Sequence, residues 1–139
     1  MQVQPYLFFD GRCEEALAFY GKAVGAQVQH LVRFKESPQP TEGCGPDQPN
    51  GEKIMHASMK IGDSLVNASD GECRGQVDFR GFSLVLNAKD DDEAARLFSA
   101  LLHDGGEATL PLSATFFASS FGMLRDRFGV NWMVMSPPK

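Results

Sequence analysis

The sequence predicts an α+β fold: two tandem βαβββ modules forming a single domain over residues 1–139. Three observations predict it. The hydrophobic period runs strand, helix, strand, strand, strand, and then repeats that order. Glu15-Ala16-Leu17-Ala18-Phe19-Tyr20 is echoed by Glu93-Ala94-Ala95-Arg96-Leu97-Phe98 at an offset of 78. Lys60-Ile61-Gly62-Asp63-Ser64-Leu65-Val66 is echoed by Arg127-Phe128-Gly129-Val130-Asn131-Trp132-Met133 at an offset of 67. The smaller second offset fits a Pro- and Gly-rich stretch, 36–51, lengthening the first half. Module one covers about 1–70, the connector about 69–80 and module two about 81–136.

Val3 to Phe9 is aromatic and short, a strand entering the turn Asp10-Gly11. From Arg12 the period becomes helical: Cys13, Ala16, Leu17, Tyr20 and Val24 recur on one stripe, and Gly25 stops it. Gln27 to Lys35 alternates as a strand. Residues 36–51 hold four prolines and three glycines, a loop without a core face. Lys53 to Ile61 and Ser64 to Ala68 are strands around the turn Gly62-Asp63, and Ser69 to Arg80 is a polar connector. Gly81 to Asn87 is the next strand. Asp90 to His103 is a helix with Ala94, Leu97, Phe98, Leu101 and Leu102 inward, Asp90 and Glu93 at capping-box spacing, and Gly105-Gly106 ending it. Glu107 to Leu112, Phe116 to Leu124 and Val130 to Met135 complete the second module.

Composition narrows the function. The 42% hydrophobic and 22% charged content is that of a soluble globular domain. No apolar run approaches the ~20 residues of a membrane span. Gln2 and Gln4 follow Met1 directly, so no signal peptide is expected. A net charge of −5 with no basic stripe argues against nucleic-acid binding. Three cysteines without paired spacing suit a reducing cytoplasm.

Several residues are candidates for chemistry. His56 and Ser58 alternate to one strand face together with Ile54 and Lys60. His56 there is either a base or hydrogen-bond donor in a cavity, or a half-buried histidine bonded to a carbonyl or to Ser58. Cys13 opens a helix, where the dipole can activate a thiol, yet it also lies on the apolar stripe. Cys44 and Cys73 sit in polar connectors. Asp90 to Glu93 read as solvated, dipole-complementing charges. Arg125 and Arg127 read as surface charges flanking a turn, or as a grip on an anion. Phe116, Phe117, Phe121, Phe128 and Trp132 line an aromatic pocket, fill the core, or do both.

PYLFFDG at 5–11, EEALAFY at 14–20, KIMHASMKIGDSLV at 53–66, GFSLVLN at 81–87 and FGMLRDRFGVNWMV at 121–134 resemble the PhnB-like branch of the vicinal oxygen chelate superfamily. That superfamily includes glyoxalase I, bleomycin-resistance proteins and extradiol dioxygenases. The resemblance implies a curved sheet in each module, a cupped cavity and a homodimer. Some members of the branch are labelled 3-demethylubiquinone methyltransferases. The clustered glycines here, Gly43-Cys44-Gly45, do not open a helix after a strand and give that activity no support.

In metal-dependent members, ligands come from one position on the first and last strand of each module. Carried over, these are Gln4 (or Pro5), Val66, Phe82 or Ser83, and Met133. By the internal repeat, Val66 and Met133 are also each other's equivalents. Such a set lacks the donors of a divalent metal site, so no metal or other cofactor is expected. The resemblance therefore implies binding of a small apolar or aromatic molecule, with Gln4, His56, Ser58, Phe82, Phe117, Phe121, Trp132 and Met133 as ligand-binding residues and His56 as the catalytic candidate. The alternative is a metal-dependent lyase, isomerase or dioxygenase using a shifted ligand set that includes His56.

Overall fold

The computed structural model describes residues 1–37, 51–71 and 76–139. Most of the expected first loop, with Cys44 and its flanking glycines, and Cys73 lie outside them. The chain forms two compact units, Met1–Val77 and Asp78–Lys139.

The first unit contains β1 (Tyr6–Phe8), α1 (Cys13–Val24), β2 (Gln27–Arg33), a 3-10 turn at Phe34–Glu36, β3 (Ile54–Ile61) and β4 (Ser64–Ser69). The sheet order is β1-β4-β3-β2, with β1 parallel to β4 and the other pairs antiparallel. The strand expected from Val3 shortens to Tyr6–Phe8, because Pro5 has no N–H to give a ladder. α1 buries Cys13, Ala16, Leu17, Tyr20 and Ala23, and ends at Gly25 in the left-handed conformation. Ala23 rather than Val24 completes its stripe.

The second unit contains β5 (Leu84–Asn87), α2 (Asp91–Leu102), β6 (Glu107–Ser113), β7 (Ser120–Arg125) and β8 (Asn131–Ser136). Its sheet order, β5-β8-β7-β6, repeats that of the first unit strand for strand. Asp90 caps α2 by accepting from the Glu93 N–H at 2.8 Å. Gly122 is a glycine because α2 lies against it: a Cβ there would stand 2.8 Å from Phe98 Cε2. The strand expected to begin at Phe116 begins at Ser120 instead. Thr115 Oγ1 accepts from the Phe117 and Ala118 N–H groups at 3.3 and 3.0 Å, which folds that segment into a turn. No helix among the described residues is long and apolar enough to cross a membrane.

In each unit one sheet face is buried with the helix and the other is open. Leu7, Ile54, Ala57, Met59, Val66 and Ala68 are buried in the first unit, and Leu124, Trp132 and Val134 in the second. Ile54 was expected to share the face of His56, yet it is fully buried. A register shift between Val32↔His56 and Arg33↔Ile54 gives β3 an extra residue, and this bulge turns Ile54 to the core.

Candidate functional site

The register fixes what each open face displays. Across the first sheet, His30 pairs with Ser58, Ser58 with Asn67, and Asn67 with Tyr6. Across the second, Leu110 pairs with Met123, Met123 with Met133, and Met133 with Val85. These rows occupy the same place in the repeated topology. One is polar and the other apolar.

This equivalence corrects the sequence alignment of the halves. The expected partner of Met133 was Val66, but Val66 is 5% exposed on the core face. Asn67 is the open-face counterpart of Met133, and Val66 corresponds to the buried Trp132. The cause is the turn. Gly62-Asp63 joins Ile61↔Ser64 directly, whereas Arg127-Phe128-Gly129 is bracketed by the Asp126 N–H bonding to the Val130 carbonyl at 2.9 Å. One additional turn residue shifts the register, and a shift of one exchanges the faces.

On the first open face Tyr6 Oη lies 3.0 Å from His56 Nδ1. The rings form a continuous series, with centroids 4.9 Å apart for Phe8 and Tyr6, 5.6 Å for Tyr6 and His56, and 5.9 Å for His56 and His30. Asn67 Nδ2 donates to Gln4 Oε1 at 3.0 Å, and Gln4 Nε2 donates to Gln2 Oε1 at 2.9 Å. The structure thus brings Gln4, His56 and Ser58 onto one face and adds Tyr6, His30 and Asn67. Alternation in QPYLF places Gln4, Tyr6 and Phe8 together and was the available signal; the cross-strand position of His30 needed the register.

On the second open face a cleft of ≈ 350 Å³ is lined by Phe82, Ser83, Thr109, Met123, Asn131 and Met133, among others. Phe82 is half exposed and meets Phe79 edge-on, with centroids 6.4 Å apart. Asn131 Nδ2 donates to the Phe79 carbonyl at 3.0 Å. Phe117 and Phe121 pack edge-on at 5.1 Å, with Phe116 beyond them. Trp132 also borders the cleft, but its side chain points to the core. It is 1% exposed, and its Nε1–H donates to the buried Asp126 carboxylate at 2.9 Å, so it is a core residue.

Two further carboxylates have structural roles that the sequence did not disclose. Asp70 accepts from the N–H groups of Gly11, Cys13 and Ile54 at 2.8, 2.7 and 2.7 Å. Asp91, expected to be solvated, accepts from the hydroxyls of Ser136, Ser119 and Ser120 at 2.6, 2.8 and 3.0 Å. Those bonds hold its pKa down at about 2. Arg127, expected at the surface, pairs with Asp104 at 2.5 Å and covers the Phe128 ring. Burial, with Asp70 and Glu14 nearby, pushes the Cys13 thiol far up, which opposes a nucleophilic role.

The donors do not suit a divalent metal at the positions implied by resemblance. By face these positions are Gln4, Asn67, Ser83 and Met133, two amides, a hydroxyl and a thioether with no anion. The amide oxygen of Gln4 already accepts from Asn67. Among the described residues no three His, Cys, Asp or Glu side chains are grouped to hold a metal.

Two βαβββ units with these open sheets have the glyoxalase-like fold. A glyoxalase-related enzyme from Fulvimarina pelagi shares the fold at TM-score 0.64 and 18% identity, over 99% of this chain and 89% of that one. The chain belongs to the family described as 3-demethylubiquinone-9 3-methyltransferase, whose profile matches residues 1–135. Protein YjdN of Escherichia coli K12 is 33% identical over 139 aligned residues, 96% of this chain and 94% of that protein. Protein PA1353 from Pseudomonas aeruginosa is 39% identical, with TM-score 0.82 over 100% of this chain and 99% of that one. A Bacillus cereus structure titled putative 3-demethylubiquinone-9 3-methyltransferase, PhnB protein, shares the fold at TM-score 0.78 and 21% identity, over 98% and 99% of the two chains.

Proposed function

We propose that this PhnB-like protein binds a small apolar or aromatic molecule in the cleft of its second unit, without a metal at the superfamily's usual position. The carrying observation is that Met123 and Met133 line the cleft and, with Leu110 and Val85 flanking them in the register, form an apolar row where the equivalent row of the first unit is polar. A volume of ≈ 350 Å³ lies at the small end of ligand pockets and suits a molecule of one or two rings. Two methionines adapt to such a shape, Phe82 offers a ring at the rim, and Ser83, Thr109 and Asn131 supply a few polar points. The reading involves no methyl donor. Neither strand-to-helix junction, Asp10-Gly11-Arg12 or Lys89-Asp90, is a glycine-rich loop of the kind that cradles a nucleotide.

The test is titration with the apolar fluorophore N-phenyl-1-naphthylamine, in the wild type and in Met133→Glu. The variant places a carboxylate in the cleft and weakens binding about tenfold or more, since an unpaired charge resists desolvation. Equal affinity in both proteins sinks the proposal. Stoichiometric divalent metal in purified protein, by equilibrium dialysis and elemental analysis, overturns its metal-free part. The resemblance extends the proposal to a cytoplasmic homodimer, and light scattering that gives a monomer mass refutes the dimer.

A further inference from the structure

The open face of the first sheet has features that the second-unit cleft does not explain. Tyr6 and Phe8 are 39% and 55% exposed, whereas Leu7 and Phe9, of opposite parity, are 1% exposed. Two adjoining rings, continued by His56 and His30, form an aromatic surface left in water. Along it runs the polar row of His30, Ser58, Asn67 and Tyr6, and Lys60 stands two residues beyond Ser58 with the same parity. We propose that Tyr6 fixes His56 as its Nε2–H tautomer, making this face a hydrogen-bond-donor site for a planar ring that carries a carboxylate.

The tautomer follows from the chemistry of the pair. A phenol can donate or accept, and a neutral imidazole has one nitrogen of each kind. The phenol proton is the more acidic, and the unprotonated imidazole nitrogen is a stronger acceptor than a phenol oxygen conjugated to its ring. Across 3.0 Å the Tyr6 hydroxyl therefore donates to Nδ1. The imidazole proton is left on Nε2, and His56 presents a donor rather than a base. A flat ring stacks on Tyr6 and Phe8 while its carboxylate accepts from Nε2–H. The site lies within the first unit and stands independently of the second-unit cleft.

Benzoate is the probe, and long-range proton–nitrogen NMR of the histidine rings is the readout. In wild-type protein in alkaline buffer, His56 shows a protonated Nε2 and an Nδ1 displaced by an accepted hydrogen bond. Benzoate moves the His56 and His30 signals. Tyr6→Phe keeps the exposed ring, loses the Nδ1 displacement, and binds benzoate at least about threefold more weakly because the imidazole is no longer oriented. His56→Phe abolishes the response at His30. A proton on Nδ1 in the wild type overturns the proposal. So do benzoate-insensitive histidines, or a Tyr6→Phe protein that matches the wild type in both tautomer signature and affinity.

Discussion

The Trp132 indole N–H donates to the Asp126 carboxylate at 2.9 Å, with both residues buried. The other oxygen of Asp126 accepts from the Phe128 and Val130 N–H groups at 2.9 and 3.0 Å. A single side chain thus satisfies the turn between β7 and β8 and anchors the largest core residue. Asp126→Ala leaves three buried donors without that acceptor. Each orphaned donor costs about 1–3 kcal/mol, so a loss of about 3 kcal/mol or more is expected. Urea unfolding followed by Trp132 emission measures it, and a loss under about 1 kcal/mol contradicts this account.

Asp70 does for α1 what Arg12 does not. No Arg12 side-chain bond caps the helix, and the Asp70 carboxylate reaches the Cys13 N–H from beyond the end of β4. Asp70→Ala is expected to cost about 2 kcal/mol or more, from lost capping and orphaned amides. Cys13 reports the same change. Its thiol is fully buried and its pKa raised by burial, with Asp70 and Glu14 adding to the effect. In a Cys44→Ser, Cys73→Ser background, labelling of Cys13 therefore waits on local opening, and Asp70→Ala accelerates it. Rapid labelling of the otherwise native protein counts against a closed helix start.

The order of elements was legible because each helix stripe and strand alternation is local. Cys13, Ala16, Leu17 and Tyr20 announced α1 unaided. The motif Lys60 to Val66 was legible as an echo but misleading in register, since the additional turn residue near Arg127-Phe128-Gly129 leaves the glycine spacing looking intact. Alternation put His56 and Ser58 on one face correctly but put Ile54 there too, because a bulge has no local signature in IMHAS. Tyr6 pairs with His56 fifty residues away, a relation that only sheet order creates. Asp70, Asp91 and Asp126 resembled ordinary surface acids because nothing in a carboxylate's own position declares which amides or hydroxyls will reach it.

Asp91 gives the fold a defined acid response. Its folded pKa, about 2, is below the ordinary carboxylate value because the Ser136, Ser119 and Ser120 hydroxyls bond the ionised form. A depressed folded pKa contributes stability that is fully present above the unfolded value of ~3.9 and is lost as pH falls toward 2. Asp91→Asn should therefore be less stable than the wild type at pH 7, with the gap narrowing below about pH 4 and closing near pH 2. Urea midpoints at pH 7, 4 and 2.5 check this. A gap that is constant with pH removes the carboxylate's ionisation from the explanation.

The exchange of faces at Val66 and Asn67 yields opposite outcomes for two neighbouring substitutions. Val66 is 5% exposed on the core face, so Val66→Asn buries an amide where a methyl-bearing side chain packed. Lost apolar burial together with an unsatisfied amide should cost about 2–4 kcal/mol. Asn67 is half buried on the open face, and its side chain donates to the exposed Gln4. Asn67→Met, which supplies the residue found at the equivalent position 133, should change stability by less than about 1 kcal/mol. It should also give the first open face an apolar centre like that of the second, detectable as new fluorescence enhancement of N-phenyl-1-naphthylamine in a Met133→Glu background. Equal destabilisation by the two substitutions would mean that the sequence offset of 67, and not the shifted register, describes the duplicated modules.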